Sequence, residues 1–319
     1  MHDATTDFRV IGPATDVRRW TLRFFVEFHL ELYRLITPYF DGDIEVAVLA
    51  AAAVVSSGPD PFEGGDLPDF TTTTLIVASG LARTTVRRKL GRLVTLGFIE
   101  KIAEGTYRLL PAALLTPSFR ALVEQIGGAI EGYFTRCLDH GFFRIVPDRL
   151  PDGDAPTAGP ARQIRPIADE GRWQRLALVF FSFLVGVYRV RTSVLDDDLH
   201  YILIMDVVGL YTGAPFFNTP THREAAASLD VLLGELQAGC TAQYIARETG
   251  LPRETVRRKL ALMVERDYLT KIDNRYIHTI GVLRRPSIIS AVLELEDAVM
   301  AMANHCLKER LFFVVDGAA

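Results

Sequence analysis

Apolar residues recur three and four positions apart over long stretches of this chain, the spacing of one face of a helix. Arginine-flanked apolar helices are predicted around Trp20, Phe24, Phe25 and Phe28, and around Trp173, Phe180, Phe181 and Phe183. The longest apolar run, Leu176 to Tyr188, is interrupted by Ser182 and Gly186 and bounded by Arg175 and Arg189. It is shorter than the roughly 20 residues that span a bilayer, so it reads as a buried helix, with no membrane as partner. Further along, Ala242 to Thr249 has a helical pattern that stops at Gly250, and a second helix starts near Pro252, where proline fits the first turn. Val256, Leu260, Met263 and Val264 form its inward stripe. Two short β-prone segments with a polar turn at Asp273-Asn274 complete a hairpin over Tyr268 to Ile277.

The same pattern occurs earlier. GLARTTVRRKL, Gly80 to Leu90, matches GLPRETVRRKL, Gly250 to Leu260, except at Ala82/Pro252 and Thr84/Glu254. Val86, Leu90, Leu93 and Val94 repeat the inward stripe, and Phe98 to Leu109 repeat the hairpin, turning at Ala103-Glu104-Gly105. Tyr107 pairs with Tyr276, Cys137-Leu138 with Cys306-Leu307, Asp43-Ile44 with Asp198-Leu199 and, more weakly, Trp20 with Trp173. The chain therefore reads as a duplicated unit: a first lobe over 16–146, a Pro-rich extended linker over 147–169 and a second lobe over 170–315. The second copy carries extra residues, with helical spacing from Arg223 to Gln237, where the first has a Pro-, Gly- and acid-rich loop from Gly58 to Asp69. The fold class expected is mainly α with small β-wings, as tandem lobes plus long packing helices.

Charge adds a local feature that the whole chain hides. The formal net charge is −4 over 319 residues, so nothing global points to nucleic acid. Yet between Leu81 and Arg92 stand Arg83, Arg87, Arg88, Lys89 and Arg92 and no acid. With the apolar stripe inward, Thr84, Thr85, Arg88 and Arg92 face outward, flanked by Arg87 and Lys89. Arginine can grip guanine O6 and N7 with two donors, threonine can reach a base or phosphate, and flanking cations neutralise phosphates. In the second copy the corresponding residues are Arg253, Glu254, Thr255, Arg257, Arg258 and Lys259, with Leu262 replacing Arg92. Its lower charge predicts weaker DNA binding or a different half-site. On the hairpins, Lys101 and Arg108, and Lys271 and Arg275, are candidates for contacting the duplex.

Helix, turn, helix and hairpin over Leu75 to Leu109 and Ile245 to Ile277 resemble the winged helix-turn-helix of bacterial regulators, most of all the multiple-antibiotic-resistance regulator (MarR) family. The resemblance implies recognition helices entering major grooves, hairpins meeting minor groove or backbone, and long helices resembling a dimer interface: Arg18 to Ile36 with Ser118 to His140, and Arg172 to Arg191 with Ser287 to Glu309. It implies double-stranded DNA as partner and transcriptional regulation as function, with two recognition helices on one chain where family members carry one and dimerise. Pairing of two chains into a homodimer is compatible with the apolar long helices.

Alternatives of other classes remain. A plasmid-type replication initiator also carries two winged domains on one chain, and winged domains also serve as protein-docking scaffolds. The basic face could be a solvated surface, although its retention in diverged copies is not needed for packing. Aromatic rows on the long helices are candidates for lining a small-molecule effector pocket or for plain interhelical core. Asp196 to Asp198 with His200 read as acids at a helix N-terminus rather than metal ligands. His29 reads as a packed histidine, and Cys137, Cys240 and Cys306 lack zinc-site spacing and suit a reducing, cytoplasmic compartment. The chain has no P-loop, G-x-S-x-G, H-E-x-x-H or dinucleotide fingerprint, so neither an enzyme nor a cofactor is expected.

Overall fold

The computed structural model describes residues 8–12, 18–58, 61–62, 67–148, 162–195, 198–218 and 238–316. The protein is mainly helical with small antiparallel sheets, in the order β1 (Phe8–Ile11), α1 (Arg18–Ile36), α2 (Ile44–Ser56), β2 (Phe70–Thr71), α3 (Thr72–Ser79), α4 (Arg83–Thr95), β3 (Ile99–Ala103), β4 (Thr106–Leu109), α5 (Pro111–Leu114), α6 (Pro117–Asp139) and β5 (Arg144–Pro147). The second half follows with β6 (Arg162–Pro166), α7 (Arg172–Thr192), α8 (Leu199–Asn218), β7 (Cys240–Thr241), α9 (Ala242–Thr249), α10 (Arg253–Glu265), β8 (Leu269–Ile272), β9 (Arg275–His278), α11 (Pro286–Lys308) and β10 (Phe312–Asp316).

The order recurs and so do its local causes. Thr71 Oγ1 accepts from Thr74 N at the start of α3, and Thr241 Oγ1 accepts from Tyr244 N at the start of α9. At the other end Ser79 Oγ donates to Leu75 O and accepts from Leu81 N, while Thr249 Oγ1 donates to Ile245 O and accepts from Leu251 N. Gly80 and Gly250 then turn the chain with φ of 67° and 65°, a conformation that favours glycine. Each hairpin gains a short third strand, giving the orders β2-β4-β3 and β7-β9-β8.

Each half is also closed by its ends. β1 pairs with β5 and β6 with β10, both antiparallel. The Pro-rich stretch is thus extended at both ends, as its sequence suggests, but β6 is held in a ladder rather than solvated; residues 149–161 lie outside the described residues, as does the helix expected from Arg223 to Gln237.

The halves share one continuous hydrophobic core. α1 packs on α6 of its own half and α8 of the other; α7 packs on α11 of its own half and α2 of the other. The packing is thus reciprocal between the halves, with pseudo-two-fold symmetry. α2 lies at its centre, with every residue from Val46 to Val54 buried, and the run Ala50 to Ala53 gives α7 a shallow surface to approach. α7 is long and apolar enough to cross a membrane, and more than half of its apolar window is buried in the core.

Geometry corrects one sequence pairing. Matching Trp20 with Trp173 puts α1 and α7 out of step with their burial. A shift of two aligns Tyr33 with Tyr188, both buried, and Arg34 with Arg189, each lying against the end of a short helix of the other half: Arg34 pairs with Glu248 of α9, and Arg189 packs over Gly80 after α3. The same register continues through α2 and α8.

Candidate nucleic-acid interface

α4 and α10 each bury three residues, Val86, Leu90 and Leu93, and Val256, Leu260 and Met263. Val94, expected inward, is 39% exposed at the edge of its stripe, and Val264 is half-buried. The outward expectation holds for the polar residues. Arg83, Thr84, Arg87, Arg88 and Arg92 are exposed, and so are Arg253, Glu254, Arg257 and Arg258; Thr85, Thr255, Lys89 and Lys259 are half-buried.

Electrostatically the two helices differ from the sequence picture. α4 contains no acid, but the fold lays it across the segment that enters α2, where Asp41, Asp43 and Glu45 supply three. Arg88 pairs with Glu45 at 2.9 Å, Lys89 with Asp43 and, at 3.0 Å, with Glu45, and Arg92 with Asp41. Asp43 is itself the N-cap of α2, accepting from Glu45 N and Val46 N. On α10, Lys259 repeats the Lys89 contact with Asp198, but His200 stands where Glu45 does, and Arg258 is left without an ion-pair partner among the described residues. Arg257 is held by Glu254 through two hydrogen bonds of 2.9 and 2.6 Å.

Among the described residues these ion pairs narrow the charge difference between the two helices. Among the described residues, the exposed arginines that make no ion pair are Arg83 and Arg87 on α4 and Arg253 and Arg258 on α10, although the charge of Arg258 still acts on Glu254. The expectation of weaker binding or a different half-site for the second copy counts charge within the helix alone and leaves out these acids of the neighbouring segment. The pairs at Arg88 and Arg92 are themselves exchangeable: their side chains are 65% and 46% exposed, and ion pairs of that kind are worth about 1 kcal/mol or less.

The hairpin residues are more committed. Lys101 binds Glu104 at 2.6 Å across the β3–β4 turn, and Arg108 binds Asp69 at 2.7 Å. Lys271 sits over the Tyr276 ring, and Arg275 donates to Gly239 O at 2.9 Å. All four lie on the hairpins, with Arg108 half-buried and the others exposed.

Sequence reasoning missed a second polar site, in the core between the halves. His29 of α1, Tyr188 and Arg191 of α7 and Asp206 of α8 form a buried tetrad. Burial lowers the His29 pKa, opposed by its hydrogen bond to Asp206 and aided by the charge of Arg191. Burial pushes Asp206 up, but Arg191 and His29 outweigh it and hold its carboxyl below the usual range. The consistent state is a neutral imidazole whose Nδ1–H donates to Asp206 and whose Nε2 accepts from the Tyr188 hydroxyl, at 2.7 and 2.8 Å. Arg191 completes the set, donating to both Asp206 oxygens. A lone His, Arg and Asp on three apolar helices give no sequence signal of convergence.

The three cysteines are buried, each thiol pushed up to about 12 by desolvation, which makes them packing residues. Among the described residues no group of three His, Cys, Asp or Glu is placed to hold a metal. Comparison of the chain with protein-family models, with curated proteins and with solved structures finds no match.

Proposed function

We propose that the protein is a sequence-specific binder of double-stranded DNA, with two winged helix-turn-helix lobes on one chain, acting as a transcriptional regulator resembling the MarR family. α4 and α10 are the recognition helices and the β3–β4 and β8–β9 hairpins the wings. The observation that carries the reading is the recurrence, on reciprocal sides of a pseudo-two-fold core, of an exposed helix with two exposed arginines outside any ion pair among the described residues, Arg83 and Arg87 or Arg253 and Arg258. One chain would then present what simpler regulators present as a dimer.

The deciding experiment is selection of fragments from the source genome followed by titration of the bound duplex at several salt concentrations. Four arginine–phosphate contacts correspond to a log–log slope of about −3.6, or a loss of roughly two orders of magnitude between 50 and 200 mM salt. Arg87→Ala and Arg258→Ala each weaken binding, by comparable factors. Promoter fragments support regulation, whereas repeated origin fragments support the replication-initiator alternative. The protein-docking alternative draws on Asp41, Asp43 and Glu45, which make the first face charge-mixed rather than basic; no duplex affinity at any salt would favour it.

A further inference from the structure

α4 and α10 are held in the same way. Ala82 and Pro252, at their N-cap positions, share a φ of −55° with ψ of 140° and 136°, and Lys89 and Lys259 tie the two helices to Asp43 and Asp198. Burial then repeats residue for residue from 83 to 91 and from 253 to 261, with the first, second, fifth, sixth and ninth positions exposed in both helices. Arginine stands at the first, fifth and sixth positions of each copy, and the ninth is Gly91 or Ala261, neither with a polar side chain. These two faces therefore differ in functional groups only at the second position, Thr84 in one copy and Glu254 in the other. Arg92, which becomes Leu262, stands in the last turn of α4, tied to Asp41.

The second position is where a helix lying in a major groove reads bases, because its N-terminal residues meet the base edges. Cytosine presents only a donor there, its N4 amino group, whereas guanine presents two acceptors. A carboxylate accepts from cytosine and is repelled by guanine. A threonine hydroxyl donates or accepts, and its methyl group packs on thymine, so Thr84 makes no such demand. Glu254 keeps acceptor capacity for this task. Arg257 gives it two hydrogen bonds of 2.9 and 2.6 Å, but a carboxylate has about four acceptor sites. The Glu254 and Arg257 side chains are 74% and 73% exposed, and the guanidinium offsets the repulsion between the carboxylate and phosphates. A homodimer must present two identical helices, whereas two lobes on one chain are free to differ.

On the duplex-binding reading, on which this depends, we infer that the two recognition helices read unequal half-sites. The halves match at the base pairs met by the shared arginines and differ at one, where α10 requires a C·G pair through Glu254 and α4 does not. Selection of duplexes from a randomised pool by the full chain, repeated with Glu254→Thr and with Thr84→Glu, is the measurement. Both side chains are exposed, so neither substitution disturbs the core. The parent selects a site whose halves are related by a dyad except at one pair of positions, with cytosine required in one half only. Glu254→Thr selects a site that is symmetric there and has lost the cytosine, and Thr84→Glu selects one with the cytosine in both halves. Replacing that C·G pair by G·C weakens the parent about tenfold and Glu254→Thr less than about twofold. Recovery of no duplex by the parent would overturn the duplex-binding reading and the unequal half-sites with it. A fully symmetric site recovered by the parent, the asymmetric site retained by Glu254→Thr, or no second cytosine with Thr84→Glu would overturn the unequal half-sites alone.

Discussion

His29 on α1 and Asp206 on α8, from opposite halves of the chain, meet at 2.7 Å with both side chains almost completely buried. The bond joins the halves where apolar packing alone would serve, as the pseudo-two-fold counterpart demonstrates: there Leu184, Ile36 and Ala51 occupy the places of His29, Arg191 and Asp206, and only the tyrosine is kept, Tyr33 for Tyr188. The protein thus contains its own control for the energetics of a buried polar cluster.

Asp206→Ala leaves Arg191 buried without its carboxylate and His29 without its acceptor. Stability falls by about 3–5 kcal/mol, the usual effect of removing one member of a buried ion pair. The triple variant His29→Leu, Arg191→Ile, Asp206→Ala copies the apolar counterpart and is neutral or more stable than the parent, by up to about 4 kcal/mol. Urea unfolding of the three proteins checks the pair of statements. A triple variant as unstable as Asp206→Ala would show that the tetrad is needed for folding itself.

Acid destabilises the protein through its histidines. Burial lowers the pKa of His29, His200 and His278 below 6.5, so each is neutral when folded and takes up a proton more readily when unfolded. Their contribution is complete above about pH 6.5 and is lost as pH falls below it, by up to about 1.4 kcal/mol per pH unit for each fully buried ring. Asp206, held below the usual carboxylate range, stays ionised in this window and adds nothing to the slope. The urea midpoint therefore drops between pH 7.5 and pH 5.5, and the triple variant, lacking His29, drops less. An equal drop in both would remove His29 from the account.

What was legible in the sequence was local. The Gly250 stop, its repeat at Gly80 and the hairpin spacing depend on neighbours within a few residues and lie where the pattern puts them; the Thr71 and Thr241 caps, equally local, emerge with the structure. What was not legible depended on residues far apart. Asp41, Asp43 and Glu45 reach α4 from 43 to 51 residues away, and a helical wheel of α4 contains none of them. The tetrad draws its members from three helices across 177 positions.

The two turn glycines, alike in backbone, differ in surroundings. A Cβ on Gly80 would lie 3.2 Å from Arg189 Cα and Cγ, whereas one on Gly250 meets nothing within 4 Å. Gly250→Ala costs about 1–2 kcal/mol for its left-handed conformation. Gly80→Ala costs that and, in addition, the displacement of the Arg189 backbone of α7, so it is the more damaging of the two. Chemical denaturation of the two single variants gives the order directly; equal losses would mean that α7 yields without strain.

On the duplex-binding proposal, the acids beneath α4 would be internal competitors for phosphate. Glu45 and Asp41 neutralise Arg88 and Arg92, and a bound duplex would have to displace them before those arginines contributed. Asp41→Asn with Glu45→Gln retains Asp43, which caps α2 and holds Lys89, so the fold loses about 1 kcal/mol or less from exposed pairs. If the duplex-binding proposal holds, this variant binds DNA about tenfold more tightly at 50 mM salt and its salt slope steepens by up to about 2, as two more cations reach phosphates. Fluorescence anisotropy across a salt series measures both. Unchanged affinity with an unchanged slope would place Arg88 and Arg92 away from the duplex, leaving Arg83 and Arg87 as the contacts of the first helix.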